Sequence, residues 1–189
     1  TAKPSVVPVG TFKATDSPRF GFRGTGFVVG NGNLVVTNAH VLPAVSAQPA
    51  DPGTLMVLAP PLRSGEALQP RTATIAALDR EHDLALLRID GAPLSPLVLA
   101  DANTAREGQS VAIIGFPIGG ALGFTPVTHR GIVSSITAIA MPAPSAQSLN
   151  AQALNRLRQG SFDIYQLDAT AYPGNSGGPV LDAQTGQVL

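Results

Sequence analysis

Glycine and proline are scattered so densely through this chain that almost no stretch of it can settle into a long helix. There are 20 glycines and 17 prolines among 189 residues, about a fifth of the chain where roughly 12% is usual. Glycine in a helix costs backbone entropy and proline removes an amide donor, so both mark turns. Between these breaks lie short apolar runs at 6–9, 26–29, 34–37, 55–59, 72–78 and 84–89, then at 110–116, 131–139, 164–169 and 179–181. Gly30-Asn31-Gly32-Asn33 supplies residues that tolerate positive φ and reads as a hairpin turn. Short strands with turn signals between them predict antiparallel barrels or sandwiches.

One helix is expected. Leu149, Ala153, Leu154 and Leu157 fall near one face at helical spacing, and Gly160 ends the run. Pro43–Gly53 reads as a surface excursion. Leu94–Gly108 reads as a bridge between two halves, which sets a boundary near residue 100 and divides the chain into 1–100 and 101–189.

Composition excludes several functions. Twelve basic residues balance twelve acidic ones, so the chain lacks the field that draws in nucleic acid or anionic membrane. There is no run of 18 apolar residues to span a bilayer. Cysteine is absent, so no disulfide supports the fold. No cluster resembles a metal site, and Gly115-Phe116-Pro117-Ile118-Gly119-Gly120 lacks the lysine and hydroxyl of a phosphate loop. Neither a metal nor an organic cofactor is expected.

Three segments carry chemistry: Thr37-Asn38-Ala39-His40-Val41, His82-Asp83-Leu84-Ala85-Leu86-Leu87 and Gly174-Asn175-Ser176-Gly177-Gly178-Pro179. A serine hydroxyl is a weak nucleophile near neutral pH and needs an adjacent base. Glycines around Ser176 allow a tight turn whose N–H groups lie beside the hydroxyl. Histidine is the side chain that exchanges a proton near pH 7, and the chain has His40, His82 and His129. His40 follows the apolar run 34–37, where a strand can fix its direction. Asp83 precedes the strand 84–89, at its mouth rather than on an open face. The order His40, Asp83, Ser176 is that of the chymotrypsin group and differs from the orders of subtilisin and the α/β-hydrolases.

With these motifs the chain resembles the trypsin-like serine proteases, and is most similar to their HtrA/Deg branch. Further matching text is Gly24-Thr25-Gly26-Phe27-Val28-Val29, Gly131-Ile132-Val133-Ser134 and Leu167-Asp168-Ala169. The resemblance implies an all-β fold of two six-stranded antiparallel β-barrels, with His40 and Asp83 on the first and Ser176 on the second. It implies a serine endopeptidase acting on polypeptide through an acyl-enzyme, with Gly174 and Ser176 N–H groups as the oxyanion hole and a periplasmic or secreted address. It also implies strands beyond Leu189, so the second barrel is expected to be incomplete here, finished by a further segment or by a second copy of the chain.

Two departures matter. Asn175 stands where trypsin-type zymogens carry the aspartate that pairs with a freed N-terminal amine, so activation by N-terminal cleavage is not expected. Thr170 stands where trypsin carries the aspartate that selects basic side chains, which argues for cleavage after small or medium aliphatic residues. Thr170, Tyr172 and Pro173 are the candidate pocket residues. The competing function is a catalytically silent, chaperone-like module that holds extended peptides by strand addition. His82 is expected at the surface or at a strand edge, His129 in a solvated loop, Asp168 in a turn hydrogen bond, and Arg19 and Arg23 as solvated charge.

Overall fold

A computed structural model describes residues 2–43, 53–61, 63, 66–101, 103–117, 119, 123–140 and 161–189. The expected helix around Leu149–Leu157 and most of the Pro43–Gly53 excursion lie outside them. Ten strands follow in chain order: β1 (Val6–Phe12), β2 (Phe20–Val29), β3 (Leu34–Asn38), β4 (Thr54–Ala59), β5 (Gln69–Asp79), β6 (Leu84–Ile89), β7 (Ser110–Gly115), β8 (Val127–Ala140), β9 (Ser161–Asp168) and β10 (Val180–Asp182). Among the described residues the fold is all-β, with two short 3-10 turns and no α-helix.

The first six strands close an antiparallel barrel in the order β1-β2-β3-β6-β5-β4. The remaining four form an antiparallel sheet in the order β10-β7-β8-β9. Among the described residues the expected second barrel is thus represented by a partial sheet of four strands.

Side-chain alternation explains how the two bodies pack. Successive strand residues point to opposite faces, and the strands along the barrel wall next to the second sheet are apolar on both. In β2, Val28 enters the barrel interior with Val7, Val9, Val35, Val57, Leu87 and Ile89. Its neighbours Phe27 and Val29 face outward and join Val6, Ile114, Phe116, Leu181 and Val188 in a second core. That second core binds the sheet to the barrel. Gly26 is required where β2 is most crowded, because a Cβ there would run into the side chains of Val9 and Val35.

The Gly30–Asn33 turn joins β2 to β3 as expected, with Gly30 at φ 61° and Gly32 at φ 90°. β2 begins six residues earlier than the apolar run suggested, because Phe20, Gly21 and Phe22 pair with Phe12, Thr11 and Gly10 of β1, beyond a bulge at Arg23. β8 likewise begins at Val127, through residues whose polar character hid the strand. Among its described residues, the connection from Gly91 to Gln109 forms no strand of its own. It is tied to the barrel by Leu94 N–H to Gly32 O (2.9 Å) and Leu97 N–H to Val28 O (2.8 Å).

Candidate active site

The rim of the barrel brings His40 and Asp83 together across the β3–β6 pair. Register places Asn38 opposite Leu84, so the residues just beyond each strand end meet. His40 lies in the 3-10 turn Ala39–Val41 that follows β3. Asp83 closes the turn from β5 to β6 with φ 54°, a left-handed conformation uncommon outside glycine. The contact is made four ways. His40 N–H donates to Asp83 Oδ1 (2.9 Å) and His40 Nδ1–H donates to Asp83 Oδ2 (2.6 Å). Ala39 N–H and Asn38 Nδ2–H donate to the Asp83 carbonyl at 3.0 and 2.9 Å. A carboxylate only accepts, so Nδ1 carries the proton and Nε2 is left as the acceptor.

The carboxylate is less enclosed than its place at a strand mouth suggested. Side-chain exposure is 58% for His40 and 45% for Asp83. Water therefore screens the electrostatic attraction between carboxylate and imidazole, and the hydrogen-bond geometry carries the orientation.

Ser176 reaches the same rim on the loop between β9 and β10. Thr25 N–H donates to the Ser176 carbonyl (2.8 Å). A Cβ built on Gly24 would stand 2.9 Å from that carbonyl and 2.6 Å from Val41 Cγ2. Gly24 thus separates the Ser176 loop from the residue next to His40, and only glycine permits the approach. Gly177 is the second such position: at φ 85° its missing Cβ would meet the Thr25 carbonyl, Thr37 Oγ1 and Asn38 N.

Thr25 is the hub of this docking, and nothing in the hydrophobic pattern distinguished it from valine. Its hydroxyl donates to the Gly174 carbonyl (2.7 Å) and accepts from Phe116 N–H (3.2 Å), while its own carbonyl accepts from Thr37 Oγ1 (2.7 Å). Within the turn, Asn175 N–H donates to Tyr172 O (3.1 Å) and Gly178 N–H to Asn175 O (2.9 Å). The N–H groups of Gly174 and Ser176 donate to no acceptor among the described residues. Asn175 is buried against Gly115, and its Oδ1 and Nδ2 have no hydrogen-bond partner there.

The pocket candidates are less assembled. Thr170, Tyr172 and Pro173 are exposed on the loop leading to Ser176. His129 is not a loop residue but lies on β8 opposite Ile113. It turns inward so that its ring sits 5.5 Å from that of Tyr172. Asp168 ends β9, exposed and paired with Ile132 rather than bonded within a turn. Arg23 is not free charge either: Nε and Nη2 donate to the carbonyls of Val41 (2.6 Å) and Leu42 (3.2 Å), bracing the turn that carries His40. A polar cleft of about 490 Å³ between Thr104–Ser110 and Asp182–Gln184 includes none of the candidate residues.

His82, expected at the surface or at a strand edge, is exposed in the β5–β6 turn and bonds to Asp79. His82 N–H and Glu81 N–H donate to Asp79 Oδ1 (3.1 and 3.0 Å), and His82 Nδ1–H to Oδ2 (2.7 Å). The His82 N–H, followed by its imidazole, holds the Asp79 carboxyl below the ordinary 3.8. No group of three or more His, Cys, Asp or Glu residues forms a metal site among the described residues.

Residues 24–189 match the trypsin-like peptidase domain family. This chain belongs to that family. The serine protease Rv3671c of Mycobacterium tuberculosis is 33% identical over 166 residues, covering 88% of this chain and 34% of that protein. Human serine protease HTRA3 is 34% identical over 170 residues, covering 88% of this chain and 32% of the relative. The chain therefore spans about a third of the length of these relatives. The crystal structure of active Rv3671c protease superposes with a TM-score of 0.68 at 28% identity, covering the whole of this chain and 69% of that one.

Proposed function

We propose that this chain is the proteolytic part of a serine endopeptidase that cleaves extended polypeptide, with His40, Asp83 and Ser176 as its triad. The observation that carries the reading is the two-point clasp of Asp83 on the backbone and ring of His40, on the rim where Ser176 docks. In this reading His40 Nε2 accepts the Ser176 hydroxyl proton as Oγ attacks the scissile carbonyl. The same proton then passes to the leaving amine, the C–N bond breaks and an acyl-enzyme remains. Water repeats the cycle and releases the acid. Asp83 holds the Nδ1–H tautomer and stabilises the imidazolium. The unengaged N–H groups of Gly174 and Ser176 serve the oxyanion, each worth roughly 2.7–4 kcal/mol in the transition state.

The reading extends to the division of labour along the chain, with residues 1–100 supplying the base and its orienter and 101–189 the nucleophile. Thr170 in place of a carboxylate argues for cleavage after small or medium aliphatic side chains. A periplasmic or secreted address draws support from relatives such as the probable periplasmic DegP-like endoprotease of Chlamydia trachomatis.

The test is hydrolysis of an unfolded protein substrate by the wild-type chain and by Ser176→Ala. Cleavage lost in the variant supports the endopeptidase. Binding of the substrate by both, with cleavage by neither, replaces it with a silent peptide-holding module.

A further inference from the structure

We propose that His82 is a positioning residue that holds Asp83 in its working conformation and couples it to the second sheet. The inference rests on the triad reading above. Two carboxylate–imidazole pairs abut here, Asp79 with His82 and Asp83 with His40, joined through the single peptide bond between His82 and Asp83.

Asp83 has a left-handed backbone at φ 54°, and that conformation sends its carboxylate to His40 and its carbonyl to Ala39 and Asn38. A non-glycine residue stays there only when its surroundings over-determine it. On one side the Asp79 carboxylate clamps the turn through the N–H groups of Glu81 and His82 and the His82 ring. On the other side the His82 ring packs on Phe162 of β9, with centroids 4.7 Å apart and planes tilted by 58°. The imidazole is held at both edges, by its own turn and by an aromatic ring from the sheet that leads into the nucleophile loop.

A small displacement of Asp83 is enough to matter, since misplacing a reacting group by about 1 Å can cost about 100-fold in rate. His82 thereby registers the two bodies against each other at the point where the triad spans them.

The experiment measures the rate at which a fluorophosphonate labels Ser176, read by intact mass, in a set of variants. His82→Ala is expected to label about ten-fold or more slowly, with its thermal midpoint close to that of wild type. His82→Asn, whose Nδ2 stands where Nδ1 stood, recovers most of the rate, and Phe162→Ala loses part of it. In an Asp83→Asn background, His82→Ala adds no further loss, because residues acting through one group are not additive. A full additional loss in that background assigns His82 a merely structural role and overturns the proposal, as does wild-type labelling in His82→Ala. A wild-type chain whose labelling does not depend on Ser176 would instead count against the triad. A readout independent of turnover then decides for His82. The downfield proton of the His40 Nδ1–H···Asp83 bond, observed in Ser176→Ala, shifts or broadens when His82→Ala is added. An unchanged signal overturns the proposal.

Discussion

Replacing Thr25 by valine removes one oxygen from the centre of the interface between the barrel and the Ser176 loop, and its cost follows from the two hydrogen bonds that oxygen makes. Thr25 is fully buried, at 0% exposure, and valine has nearly the same shape, so no cavity enters the account. The Gly174 carbonyl and the Phe116 N–H each lose the partner they hold at 2.7 and 3.2 Å. A buried polar group left unsatisfied costs about 1–3 kcal/mol. The two together put the loss at about 2–6 kcal/mol, and the bond from Thr25 N–H to the Ser176 carbonyl is untouched. For a chain of this length each kcal/mol lowers Tm by about 2–4 °C, so a mid-range loss of about 4 kcal/mol gives roughly 8–16 °C. Urea denaturation at pH 7 of wild type, Thr25→Val and Thr25→Ser measures it. Serine keeps the hydroxyl and is expected to retain most of the stability. Valine within about 0.5 kcal/mol of wild type, or serine as damaging as valine, would refute the assignment of Thr25 as the hydrogen-bonding hub.

Three further outcomes follow from the same geometry. Asn175→Asp places a carboxylate where the buried asparagine has no hydrogen-bond partner among the described residues, so it destabilises at neutral pH by about 3–5 kcal/mol. An acid whose folded pKa is raised loses that penalty on protonation, so denaturation at pH 7 and pH 4 should show the defect shrinking on acidification. Gly174→Ala forces a side chain onto a backbone at φ 98° and against the Phe116 carbonyl, and is expected to abolish Ser176 labelling while Gly123→Ala, with open space around it, does not. Asp182 is held below 3.8 by the Thr185 N–H, then by the Gln109 amide and the Gln184 N–H. A depressed carboxyl contributes stability that is present above its unfolded pKa and lost as pH falls through the folded one. Acid unfolding below pH 3.8 should therefore flatten in Asp182→Asn, which starts from lower stability at pH 7.

Much of this arrangement was legible from the chain alone because it is written in local signals. Gly30–Asn33 had to turn, Val28 and its neighbours had to be buried, and His40 and Asp83 each flank an apolar strand. What escaped was held by pairs remote in sequence. Thr25 and Gly174 lie 149 residues apart, and in an alternating apolar pattern a buried threonine reads like valine. Arg23 looked like solvent-facing charge because its acceptors, the carbonyls of Val41 and Leu42, belong to another turn. His129 looked like loop because Val127–Arg130 lacks the apolar run that marks a strand, yet β7 supplies the partner that makes it one.

The central claim is that His40 and Asp83 activate Ser176. Fluorophosphonate labelling of the wild-type chain beside Ser176→Ala, read by intact mass, tests it most directly. The account predicts one adduct on the wild type, located at Ser176, and none on the variant, with Asp83→Asn slowed by about 10⁴. An adduct that persists in Ser176→Ala, or a wild-type chain that takes no label, would contradict it.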